Sequence, residues 1–216
     1  MFITLKIFRK IERDGQSSMA AVNSSMNYRE IIEYFYPTDT PFRQLLLLHS
    51  NQVREKALRI LETSGMTLDR RVVVAGAMLH DIGIGMCHAP KILCVGQEPY
   101  IAHGVIGGRM LRQYGEKYRI DLEPLARICE RHTGSGLTVE DIRRQNLPIP
   151  EHNFLPETPE EKLICLADKF FSKSGNQKEK SIDNIRQALG KFGNDSVERF
   201  DQMCCLFGIT NATSKA

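Results

Sequence analysis

Residues 72–85, Val-Val-Val-Ala-Gly-Ala-Met-Leu-His-Asp-Ile-Gly-Ile-Gly, constrain the folding of this chain more than any other stretch. An apolar run of helical character delivers an imidazole and a carboxylate side by side, His80 and Asp81, and glycines then end the helix. A carboxylate at the end of a buried run is costly unless a cation meets it. The neighbouring imidazole offers that cation a second ligand, because neutral His and Asp together suit Zn, Mn, Fe or Co. Taken alone, the pair reads more readily as a helix end facing water. What decides between the two readings is where the other titratable residues fall.

Four of the six histidines, His49, His80, His103 and His132, lie on the apolar faces of four different predicted helices. His49 shares a face with Leu45, Leu46, Val53, Ala57 and Ile60 through i+4 and i+8 spacing. His103 lines up with Ile106, Gly107, Met110 and Leu111, and His132 with Leu125, Ile128 and Cys129. Asp168 falls on the apolar face of a fifth helix with Ile164, Cys165 and Phe171. A lone core histidine is usually a hydrogen-bonded packing residue. Burying this many titratable groups together is reasonable if metal ions occupy the place where they meet. His88 and His152 lie in loops with no periodic support and read as ordinary loop residues.

The helical frame follows from start and stop signals. A short helix is expected over 27–36, then one capped by Thr40 with Pro41 at its first position, running to about Thr63 and closed by Gly65. A third leads from about Asp69 to the His-Asp pair, and a loop occupies 86–99. Helices follow over 100–114 and 122–132. Thr138 with Asp141 marks a short helix to about Gln145, and Thr158-Pro159-Glu160-Glu161 opens the helix of Asp168. Two more, about 182–191 and 196–206, complete the pattern. Gly104, Gly107 and Gly108 lack the strand and spacing of a phosphate loop, so close helix packing accounts for them. No stretch shows strand alternation, and the expected class is all-α.

At 216 residues the chain fits one domain with a full core, with an extension over 1–25 that has little to bury and a polar tail over 211–216. Met26 precedes the first clear helical pattern and is a candidate natural start, which leaves 26–210 as the domain. A net charge of +3 from dispersed basic residues is too small to argue for a nucleic-acid partner. The six cysteines show no Cys-x-x-Cys pattern, and several fall on apolar helical faces, which suits reduced core thiols. No apolar run approaches the roughly 18 residues of a membrane span, and the start lacks a signal-peptide core, so a cytoplasmic protein is the expectation.

The order His49, His80-Asp81, His103, His132, Asp168 resembles the HD-domain superfamily of metal-dependent phosphohydrolases, and Leu79-His80-Asp81-Ile82-Gly83 is similar to its HDIG branch. Glu130-Arg131-His132-Thr133-Gly134-Ser135-Gly136, the Leu-Pro-x-Pro connection and Ala167-Asp168-Lys169 resemble an uncharacterised subgroup of small single-domain HDIG proteins, with similarity from about Pro41 to Phe200. The resemblance implies a helical bundle with a central metal cleft and one or two divalent ions (Fe, Mn, Co or Zn, with Mg as a further option). His49, His80, Asp81 and Asp168 map onto the family's basic metal quartet. His103 and His132 map onto the extra ligands of its two-metal members, where the Asp81 position bridges the ions and is central to catalysis. The implied activity is cleavage of a phosphoester or phosphoanhydride of a small metabolite, a nucleotide above all, by hydroxide generated at the metal. Lys169 is the candidate to bind a phosphate oxygen. Rival readings within the family are a dinucleoside polyphosphate hydrolase and a nucleotide phosphodiesterase; outside it, a non-catalytic metal- or nucleotide-binding module.

Two departures matter. Many family members carry a basic residue directly after His-Asp-x-Gly, where this chain has Ile84, so phosphate binding must come from elsewhere, with Lys169, Arg109 and Arg131 as candidates. The Gly-Tyr-Pro signature of cyclic dinucleotide phosphodiesterases is missing, which demotes that class.

Overall fold

The computed structural model describes residues 27–175 and 178–209; the extension over 1–25 and the tail over 211–216 lie outside the described residues. The described chain is all-α apart from one minimal hairpin. In order, the helices are α1 (Tyr28–Phe35), α2 (Pro41–Ser64), α3 (Arg70–Leu79), α4 (His103–Tyr118), α5 (Glu123–Arg131), α6 (Val139–Arg144), α7 (Pro159–Lys169), α8 (Ile182–Gly190) and α9 (Asn194–Leu206). No helix among the described residues is long and apolar enough to cross a membrane.

The ends of these helices are set by the local chemistry of their caps. Thr40 accepts a hydrogen bond from the Arg43 amide at 3.1 Å, with Pro41 at the first helical position, and Gly65 ends α2 in the left-handed conformation at φ 69°. Thr138 with Asp141 and Thr158 with Glu161 each form a complete reciprocal capping box. Asp69 caps α3 by accepting from the Arg71 amide at 2.9 Å.

α3 is the axis of the bundle, packed against α1, α2, α5 and α7. Its residues Val73, Ala75, Ala77, Met78 and Leu79 are all buried, so the run that carries His80 and Asp81 is enclosed rather than amphipathic. α4 and α5 form a close-packed pair beside it, and α9 packs on both α7 and α8.

Glycines allow the site elements to approach. A Cβ on Gly83 would lie 2.2 Å from the His103 carbonyl oxygen and 2.4 Å from the Gly107 amide nitrogen, and one on Gly104 would lie 2.4 Å from the Cys129 carbonyl oxygen. The packing role expected for Gly104 and Gly107 is therefore what the fold shows. Gly83→Ala should force α4 away from the His-Asp turn and cost about 3 kcal/mol, the upper end of overpacking penalties, or roughly 6–12 °C for a domain of this size. An unchanged midpoint in a thermal melt would contradict this close approach.

Two details depart from the sequence reading. The helix expected over 100–114 instead begins at His103 and runs to Tyr118, preceded by a 3₁₀ turn over Tyr100–Ala102. The carbonyl of Tyr100 accepts from both the His103 amide and the His103 ring, which holds the chain in that tighter turn. Within the loop expected over 86–99, His88–Ala89 pairs antiparallel with Cys94–Val95, in register His88 to Val95 and Ala89 to Cys94. Two-residue strands are too short for a period of two to show in the sequence.

Candidate metal centre and adjoining cavity

Five elements deliver the buried polar cluster. His49 comes from the middle of α2, while the other residues stand at helix ends. His80 and Asp81 follow the last residue of α3, His103 opens α4, His132 follows α5, and Asp168 is the penultimate residue of α7. All six are buried, Asp168 being the most exposed at 7%. Helix ends bring side chains to one point without interrupting the ladders behind them.

Asp81 divides the cluster. Its Oδ2 lies 3.1 Å from His80 Nε2 and 3.4 Å from His49 Nε2, and Asp168 Oδ1 completes that group at 2.9 Å from His49 Nε2 and 3.5 Å from His80 Nε2. Its Oδ1 faces the other way, 3.5 Å from His103 Nε2 and 3.4 Å from His132 Nε2. Ligand-competent atoms thus form two groups, His49/His80/Asp81/Asp168 and Asp81/His103/His132, with all atoms of each group within 4.8 Å of one another.

Backbone carbonyls aim three of the imidazoles. His80 Nδ1 meets the Ala77 carbonyl at 2.8 Å, His103 Nδ1 the Tyr100 carbonyl at 2.7 Å and His132 Nδ1 the Cys129 carbonyl at 2.7 Å. A carbonyl only accepts, so each Nδ1 must donate, and a neutral ring then presents a bare lone pair on Nε2. His103 Nε2 and His132 Nε2 are 3.0 Å apart. Burial, with the neighbouring His132, pushes His103 down to about 3, and burial also lowers His132, so both rings are neutral near pH 7. Two lone pairs facing each other at that distance repel unless a cation lies between or beside them.

The same need shows in the other group. The Nε2 of His80 and both oxygens of Asp81 are buried without a hydrogen bond, although charged partners stand at ion-pair distances around them. Burial opposes ionisation of Asp81 and Asp168, yet His80 and Lys173 around Asp81, and Lys169 and Lys173 around Asp168, hold both well below the usual carboxylate range. Burial likewise opposes protonation of His80, but Asp81 and Asp168 together outweigh it and drive the ring up to about 9. Imidazole nitrogens and carboxylate oxygens, buried and aimed inward, fit a divalent metal ion.

A cavity of about 380 Å³ opens beside Asp168. Lys169, Lys173 and Lys180 line one part of it, and Ile92, Phe171 and Leu189 another. Tyr100 borders the cavity and stacks on the ring of His103, with centroids 4.9 Å apart and planes at 27°. Lys169 Nζ donates to the His132 carbonyl at 3.1 Å and sits 2.8 Å from Asp168 Oδ2. Lys173, which sequence reasoning missed, places Nζ 2.8 Å from Asp81 Oδ2. It follows α7 in irregular chain, where no periodicity marks a residue as inward-facing.

The other candidates stand apart. Arg131 turns to the Leu155 carbonyl at 2.5 Å and to Glu157 at 2.8 Å, and Arg109 is exposed on α4 and does not line the cavity. Ile84 is buried with Leu46, Ile92 and Cys94 in a small apolar cluster. His88, on the short hairpin, and His152, in a loop, are both exposed and stand outside the cluster.

An all-α bundle that gathers His, His-Asp, His, His and Asp in this order defines a class. The family model described as the HD domain matches residues 46–172, and the chain belongs to that family. Among individual proteins, it is 30% identical over 198 residues to a tRNA (cytidine(56)-2′-O)-methyltransferase of Picrophilus torridus, a match covering 88% of this chain and 50% of that protein. It is 34% identical over 151 residues to an uncharacterised protein of Methanocaldococcus jannaschii, covering 69% and 78%. A methyltransferase of the same name from Thermoplasma volcanium is 31% identical over 159 residues, covering 73% and 40%. The chain thus spans about half the length of the curated methyltransferases it matches. Among solved structures, the HD domain of the L. monocytogenes phosphodiesterase PgpH in complex with cyclic-di-AMP aligns with a TM-score of 0.46 and 14% identity, over 88% of this chain and 97% of that one.

Proposed function

We propose that this domain is a metal-dependent phosphohydrolase, cleaving a phosphoester or phosphoanhydride of a small metabolite, a nucleotide by preference. The observation that carries the reading is the division of Asp81 between two ligand groups, one oxygen toward each. In this reading His49, His80, Asp81 and Asp168 hold one divalent ion, and Asp81, His103 and His132 hold a second. Fe, Mn, Co and Zn all suit such a set of nitrogen and oxygen donors. Divalent ions so held supply Lewis acidity toward phosphoryl oxygens and acidify water toward neutral pH.

The protein's own groups do the rest. The Ala77, Tyr100 and Cys129 carbonyls keep three rings in the tautomer that offers Nε2 inward. Lys169 steadies Asp168 and adds positive charge to the lining of the cavity. The apolar wall of Ile92, Phe171 and Leu189 gives a ring or short chain of the substrate a dry surface. The volume suits one nucleotide-sized molecule rather than an extended polymer.

The methyltransferase name of two relatives describes proteins about twice as long as the segment this chain matches. A His/Asp cluster beside a lysine-lined cavity suits phosphoryl chemistry better than methyl transfer, so hydrolysis is the activity we assign to this domain. The test is a hydrolysis screen over nucleoside mono-, di- and triphosphates, dinucleoside polyphosphates and a generic phosphoester, with tRNA as a further arm and metal content measured on the same sample. Metal-dependent release of phosphate or nucleotide from one small substrate class is expected. Metal-loaded protein that binds nucleotides and turns over none of the panel would favour the non-catalytic module instead.

A further inference from the structure

We propose that Lys173 is the phosphate-binding residue of this site, and that Asp81 holds it until a metal ion claims the same carboxylate oxygen. The inference rests on the metal site proposed above but not on hydrolysis. Four lysines line the cavity, and they are not equivalent: Lys91 is exposed on the turn over Pro90–Ile92, whereas the other three are partly buried. Lys180 Nζ donates to the carbonyls of Lys169 at 3.3 Å and Phe171 at 3.1 Å, which fastens the end of α7 to the start of the α8 segment. Lys169 is committed to the His132 carbonyl and to Asp168 Oδ2. Lys173, with a side chain only 14% exposed, lies against Asp81 Oδ2, an atom that also belongs to the His49/His80/Asp168 ligand group.

An oxygen that coordinates a divalent ion has less negative charge to offer an ammonium group. Lys173 borders the cavity as well as the cluster, so the ammonium released from Asp81 has a polar place to turn to, beside Tyr100 and toward any anion lodged there. The flexible stem of a lysine makes that turn without movement of the backbone. The same arrangement accounts for the position occupied by Ile84. That side chain is apolar and packs with Leu46, Ile92 and Cys94, lining a small cavity with His49, Asp81 and Lys173, so the cationic contact near it comes instead from the segment after α7. The consequence is order of binding: metal first, then phosphate.

The test uses the full chain and inorganic phosphate as the probe, measured by titration calorimetry with and without saturating Mn²⁺, alongside the Mn²⁺ affinity itself. Wild type should bind phosphate only in the metal-loaded form. Lys173→Met should weaken that binding about tenfold or more, the scale of one lost charge-assisted hydrogen bond, and Lys173→Arg should recover part of it. The Mn²⁺ affinity of Lys173→Met should be equal to or tighter than that of wild type, because a competing cation has gone. Should Lys173→Met fail to fold, Lys173→Gln is read in its place. Phosphate binding that is unchanged by loss of the lysine, or stronger without metal, overturns the proposal. So does weakened Mn²⁺ binding, which would make Lys173 a prop of the ligand cluster. Lys173-dependent phosphate binding with no turnover in the nucleotide screen would leave this inference standing and remove only the hydrolase reading.

Discussion

Asp81→Ala is expected to reduce hydrolysis by a factor of roughly a thousand or more and to strip the protein of most of its metal, while leaving a folded helical domain. The size follows from what is lost. Ions at such sites contribute several kcal/mol of transition-state stabilisation, and each 1.4 kcal/mol is about tenfold in rate. Asp81 faces both ligand groups, so its removal touches both proposed ion sites at once. The fold should survive because the packing of α3 rests on Val73, Ala77 and Leu79, with some stability lost as His80 and Lys173 are left without their buried partner. Metal content, circular dichroism and turnover on one preparation check the three parts together. A variant that keeps stoichiometric metal and wild-type turnover would sink the assignment of the site.

The second large effect belongs to the facing pair. His103→Ala and His132→Ala should each leave about one metal ion per chain and cut activity by about a hundredfold or more, short of the loss at Asp81. These two rings donate their Nδ1 hydrogens outward to carbonyls and turn bare nitrogens toward each other at 3.0 Å, an arrangement that a cation stabilises and neutral rings alone do not. Asp81 Oδ2, His49, His80 and Asp168 are untouched by either substitution, so the ion held by that group should remain. Metal analysis under saturating Mn²⁺ reads the outcome. Variants that bind as much metal as wild type would move His103 and His132 from metal binding to substrate contact.

Much of the helical frame is legible in the amino-acid sequence. Thr40-Pro41, Thr138 with Asp141, and Thr158-Pro159 with Glu161 are caps whose chemistry is local, so short stretches of sequence suffice to place them. The convergence of His49, His80, Asp81, His103, His132 and Asp168 is legible for a different reason. The four histidines and Asp168 each lie in phase with an apolar helical face, Asp81 follows His80 directly, and those faces can only meet in the core.

What sequence periodicity does not show is equally physical. Lys173 lies in irregular chain after α7, and its contact with Asp81 spans 92 positions, from 81 to 173. The carbonyls of Ala77, Tyr100 and Cys129 carry no side-chain signature, because every residue has a carbonyl. The division of Asp81 between two groups depends on the rotation of one carboxylate, which no spacing records. The hairpin at His88–Ala89 and Cys94–Val95 is hidden by its brevity.

The central claim is that one carboxylate serves two ions. Crystals of the full chain grown with Mn²⁺, measured for anomalous scattering, test it most directly. The account predicts two anomalous peaks flanking Asp81, one with His49, His80 and Asp168 around it and one with His103 and His132. A single peak in the first group under saturating metal, with His103 and His132 turned to a substrate or to each other, would contradict it.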